Sequence, residues 1–84
     1  MEEKEVGKVV DYFAKVNVAG IQMSDSLAVG DTIHIKGHTT DFQQKVGSMQ
    51  IEHQVVDQVS AGDSVGIKVT DRCRTHDIIY KVIE

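Results

Sequence analysis

"LAVGDTIHIKG", residues 27–37, returns 32 positions later as "VSAGDSVGIKV", residues 59–69. In both, a Gly-Asp pair precedes a hydroxyl residue, and Val or Ile then occupies every second place. Alternation of this kind turns Ile33 and Ile35 to one side of an extended chain and Thr32, His34 and Lys36 to the other. Val65, Ile67 and Val69 repeat the pattern, so each copy reads as a strand with one buried face. Gly30-Asp31 and Gly62-Asp63 admit a ligand reading and a structural one. A phosphate cradle needs several glycines leading into a helix, as in GxxxxGK[ST], and a metal site needs more than one converging acid. Neither copy supplies these. Gly readily adopts positive φ, and Asp bonds nearby backbone amides, so the pairs read as two matched strand starts.

The same period extends in both directions. In "VVDYFAKVNV" the residues Val10, Tyr12, Ala14, Val16 and Val18 share a side, with Val9 and Phe13 opposite; Lys15-Val16-Asn17 is where the chain bends toward a second strand through "VAGIQM". In "DFQQKVGSMQIEHQ" Val46 is out of parity with Met49 and Ile51, and the intervening Gly47 reads as a bulge. "DIIYKVI" places Ile78, Tyr80 and Val82 together. Helical signals are weak: Ile51, Val55 and Val59 are four apart, but the segment lacks an N-cap and stops at Gly62. The expectation is an all-β fold, a small closed antiparallel barrel of six or seven strands with Greek-key-like connections. Closure would remove the sheet edges that so short a chain has little else to cover.

The chain has 84 residues, 40% of them hydrophobic, enough for one thin core. Residues 1–5 read as a flexible N-terminus and 6–84 as a single barrel domain. No stretch approaches the roughly 20 apolar residues of a membrane helix, and "MEEKEVGKVV" carries acids where a secretory signal would be cationic; the expected location is the cytoplasm, with no membrane partner. One cysteine, Cys73, excludes an internal disulfide. Thirteen acids against nine Lys and Arg, a net charge of -4, argue against a sequence-blind grip on duplex DNA.

"KVVDYFAKVNVAGIQMSDSLAVGDTIHIKG", "TTDFQQKVGSMQIEH" and "AGDSVGIKV" together resemble the second domain of elongation factor Tu-type translational GTPases and small stand-alone translation elongation factor-like proteins. They are also similar to the barrel at the C-terminus of some collagenase-like peptidases associated with RNA modification. The first resemblance implies a barrel that helps seat the 3′ end of transfer RNA. It places Gln58, or its neighbour Asp57, at the pocket for the terminal adenosine. GxxxxGK[ST] is absent, so GTP binding and hydrolysis do not carry over and no nucleotide is expected.

The candidate contact is "KVTDRCRTHD": Lys68, Arg72 and Arg74, with His76 adding charge at lower pH, on a loop that would meet RNA phosphates or an acidic protein surface. The competing reading is a solvated turn whose arginines pair with Asp71 and Asp77. Cys73 lies between two cations, which lower a thiol's pKa, and His76 would be its base, but an ordinary thiol is the favoured reading. His34, His38, His53 and His76 are not spaced to chelate, so no metal is expected. Phe42 would stack a base or plug a barrel end, the second being preferred. No catalytic residue and no cofactor emerge. The expected function is a non-enzymatic module contacting transfer or ribosomal RNA through Lys68, Arg72, Arg74, His76 and Gln58. The alternative is a protein-interaction barrel acting in trans with a GTPase or a peptidase-like RNA-modifying enzyme.

Overall fold

Gly30 and Gly62 hold φ angles of 96° and 92°. Each is the third residue of a four-residue turn closed twice. The Asp31 amide donates to the Ala28 carbonyl at 3.1 Å while Asp31 Oδ2 accepts from the Ala28 amide at 2.9 Å. Asp63 and Ser60 repeat this at 3.1 and 2.8 Å. Positive φ at the third position matches a type II turn, which favours Gly there. The repeated pair is thus a device for starting strands, as its composition implies.

The computed structural model describes residues 2–83; Met1 and Glu84, the outermost residues of the spans 1–5 and 6–84, lie outside the described residues. The strands are β1 (Glu2–Phe13), β2 (Val18–Met23), β3 (Leu27–Ala28), β4 (Thr32–Lys36), β5 (Asp41–Lys45), β6 (Met49–Ile51), β7 (Gln54–Val56), β8 (Gln58–Val59), β9 (Ser64–Lys68) and β10 (Ile78–Ile83). Every pairing is antiparallel, and no helix occurs among the described residues. Glu2 to Glu5, expected as a loose end, lie in the ladder between β1 and β10.

The closed barrel of six or seven strands is corrected. Eight strands run in the order β5-β4-β10-β1-β2-β9-β6-β7, leaving β5 and β7 as edges, and β3 pairs separately with β8. Alternation dictates which side chains go inward but not whether the last strands bond to each other. A side chain ties β5 to the end of β9: Gln44 accepts from the Thr70 amide through Oε1 at 2.7 Å and donates to the Lys68 carbonyl through Nε2 at 2.9 Å.

The sheet folds around one core that includes Val6, Val9, Ile21, Ile33, Ile35, Met49, Ile67 and Ile79. Ile33, Ile35, Val65, Ile67 and Val69 are buried as their parity requires. Two stripes are not. β1 ends at Phe13, and Asn17, with φ of 56°, turns the chain into β2, so Val10 and Val16 are left outside while Val9 is buried. In β10 it is Ile79, not Ile78 or Tyr80, that is fully buried, because it lies between Ile35 of β4 and Gly7 of β1. In β1 the register shift between Val9 and Asp11 skips Val10 and resets its parity, whereas β10 alternates without a shift against β4 and the adjacent Ile78 and Ile79 leave its inward face undecided in the sequence.

Candidate functional site

The loop from Val69 to Asp77 is built by a third copy of the strand-start turn. The Asp77 amide donates to the Arg74 carbonyl at 3.1 Å, and Asp77 Oδ2 accepts from the Arg74 amide at 2.8 Å, the bonds made by Asp31 and Asp63. His76 occupies the position Gly fills elsewhere, at φ of 77°. Its amide donates to the Val9 carbonyl at 2.8 Å, and the Val9 amide donates to the Asp77 carbonyl at the same distance, stitching the turn to β1. Asp77 is buried against Gly37, where an added Cβ would lie 2.6 Å from its carboxyl carbon. The expected contact residue His76 is therefore a turn residue with an exposed ring.

Arg72 and Arg74 do come together. Both line a recess of about 260 Å³ with Thr39, Asp41, Phe42 and Asp71. Asp71 and Asp77 accept from backbone amides, Arg72 and Arg74 respectively, and neither guanidinium joins an ion pair among the described residues. Lys68 lines a different depression, and Gln58 is an exposed residue of β8, paired with Ala28 of β3. The five expected contact residues are not one patch. Cys73 reverses its expected electrostatics: its thiol is buried, desolvation pushes its pKa up to about 11, and Asp77 and Asp71 add to the rise. A thiol held protonated at neutral pH is a poor nucleophile.

His34 stands at the β5 edge. Its Nδ1 meets Glu3 Oε2 at 2.7 Å and its Nε2 meets Asp41 Oδ1, so the ring bridges β1 and β5 from β4. The hydrogen bond to Asp41 raises its pKa above 6.5, burial opposes this, and Glu3 raises it further. Among the described residues no three His, Cys, Asp or Glu side chains form a group suited to a metal ion. Phe42 is half-buried and packs against the core.

A larger depression carries no motif in the sequence. It holds about 720 Å³ over the outer face of β1, β2, β9 and β6. Register places Asp11 opposite Gly20, Gly20 opposite Gly66, and Gly66 opposite Gln50, so one row crosses four strands with two bare glycines at its centre. Val10, Phe13 and Val16, which are 53%, 50% and 56% exposed, form one wall; Gln50, Glu52 and His53 lie on the other. Glu52 and His53 form the tip of the β6–β7 hairpin, both at positive φ, 51° and 67°, a geometry that favours Asn or Gly. A readable signal existed: in "VAGIQM" and "SVGIKV" the outward slot between two inward apolar residues is glycine. That β2 and β9 set these glycines side by side follows only from register.

No protein-family model matches the sequence. The chain is 41% identical over 81 residues to an uncharacterized protease of Methanocaldococcus jannaschii, covering 95% of this chain and 20% of the relative. It is 36% identical over 78 residues to a collagenase of Porphyromonas gingivalis, covering 90% of this chain and 22% of that one. The chain thus spans about a fifth of the length of the curated relatives it matches. The fold matches the crystal structure of the C-terminal domain of a Geobacillus thermoleovorans protein assigned to the U32 peptidases, with a TM-score of 0.89 at 19% identity, covering 95% of this chain and 93% of that domain. The resemblance to elongation factor Tu is corrected by these matches. Its residues were alternating aliphatics and Gly-Asp turns, which specify strands and their starts in any small β domain rather than a translational GTPase. By sequence and by shape, the likeness is to a β domain carried by peptidase and collagenase chains.

Proposed function

We propose that this chain is a non-catalytic protein-binding module that acts in trans with a peptidase-type catalytic chain. The carrying observation is the likeness of nearly the whole chain, 95% and 90% of it, to a protease and a collagenase. Their remaining length is where catalysis is expected, and the groups that would act here are unsuited to it. The Cys73 thiol is buried and protonated, and His76 serves a turn. No helix among the described residues is long and apolar enough to cross a membrane.

Affinity purification of the tagged chain from its own cells, with ribonuclease treatment, tests the reading. A peptidase-type chain retained after digestion is the expected result; complexes that dissolve on digestion would overturn it. A second reading, contact with RNA phosphates, is favoured by the shared recess of Arg72 and Arg74 but opposed by Asp41 and Asp71 in the same walls. It requires transfer or ribosomal RNA binding that weakens steeply with salt and is lost in Arg72→Ala/Arg74→Ala.

A further inference from the structure

We infer that the glycine-floored groove over β1, β2, β9 and β6 is the docking surface for that catalytic chain, and that its occupant is an extended, uncharged, aliphatic segment of it. The inference deepens the reading above and rests on it. Glycine in a strand interior forfeits packing and conformational entropy, and one reason to keep it is close approach of another backbone. Here two such glycines are paired across strands, Gly20 with Gly66, so the floor is bare main chain two strands wide.

Local fit accounts for them only in part. An added Cβ would come within 3.2 Å of Asp11 Cβ at Gly20, an atom fixed to its backbone, but at Gly66 it meets Val18 Cγ1 at 3.1 Å, a methyl that a side-chain rotation can move. The wall argues the same way: Val10, Phe13 and Val16 gather three large apolar side chains, each half exposed, around one depression. Exposed apolar residues gathered at one place mark interaction surfaces, whereas scattered ones do not.

Charge selects the occupant. Lys68 and Glu52 are the oppositely charged members of the lining, so the groove offers a phosphate backbone no net attraction. The two glycines let the main chain of an extended segment approach the main chain of β2 and β9 closely, which side chains at these positions would prevent. The Glu52-His53 tip, held in the left-handed region without Gly or Asn, forms the opposite lip, and backbone strain of this kind gathers at binding sites. The curated relatives extend about four-fifths beyond the matched region, which supplies the protein surface such a groove would meet.

The test places the photoreactive residue p-benzoylphenylalanine at Phe13 of the full chain, expressed in its own cells, with a control at Gln58. Adducts are identified by mass spectrometry after irradiation. An adduct with a peptidase-type chain from position 13 and not from 58, reduced at least tenfold by Val10→Asp/Val16→Asp, is the expected result. The double variant alters exposed positions, so its thermal melt should match the parent; Val16→Lys serves if it does not. A cross-link between two copies of this chain, to lipid or to nucleic acid would overturn the inference. If a peptidase-type chain co-purifies equally with parent and double variant, the groove is wrong and the proposed function stands. If none co-purifies with the parent, the proposed function itself fails.

Discussion

The loop at 69–77 and the groove over β1, β2, β9 and β6 invert what their compositions advertise. The loop carries the conspicuous residues, two arginines, a histidine, a cysteine and two acids, yet its acids, its thiol and the backbone of its histidine serve the loop itself. Asp71 and Asp77 bond backbone amides, His76 fills a turn position, and Cys73 is buried. The groove's apolar wall is made of Val10, Phe13 and Val16, each about half exposed, over a floor with two glycines. Chemically expressive residues can thus be structural, while a site for a partner is made from residues that draw no notice.

Glycine substitution breaks or sustains that contrast most sharply. Gly37→Ala should destabilise by about 3 kcal/mol, because the new methyl must displace buried Asp77 and with it the turn that anchors the loop. Gly66→Ala, meeting only a Val18 methyl at close range, should cost under about 1 kcal/mol. Urea unfolding of the two variants measures both. Equal losses would mean that the groove glycines are there for the fold.

His76→Gly comes next in size. If the residue serves the turn, glycine should raise stability by about 0.5 to 1 kcal/mol, since the left-handed penalty outweighs the added freedom of the unfolded chain. The amide bonds to Val9 and the rest of the turn remain available. A fall in stability would assign the imidazole a role of its own.

The smallest effect concerns the recess wall, where Asp41 is held by His34. The folded state prefers the protonated imidazole, chiefly through Asp41 and then Glu3, so its pKa is raised. The resulting stability is fully present below the ordinary value of 6.5 and is lost as pH rises through the raised folded value. Melting temperature should therefore decline as pH rises above 6.5, and His34→Gln should flatten the decline. A profile unchanged by the substitution would show that the bridge between β1 and β5 contributes nothing.

The strand class, the buried faces of β4 and β9, the bend near Asn17 and the meaning of Gly30-Asp31 were legible in the residues, because period and turn chemistry are local properties. The third turn was hidden because His76 stands where Gly would have signalled it, the β1 parity because a bulge at Val10 shifts it, and the β10 face because Ile78 and Ile79 are adjacent. Among the candidate residues, Arg72 and Arg74 line one recess.

By itself the sequence determined an all-β chain that starts strands with Gly-Asp turns, since each such choice depends on neighbours a few residues apart. Tertiary structure alone decided that the sheet stays open, that Lys68, Gln58 and His76 part company, and that Gly20 and Gly66 meet beneath Val10 and Val16. Register and bulges set those outcomes. They arise from hydrogen bonds between segments tens of residues apart, which no local pattern encodes.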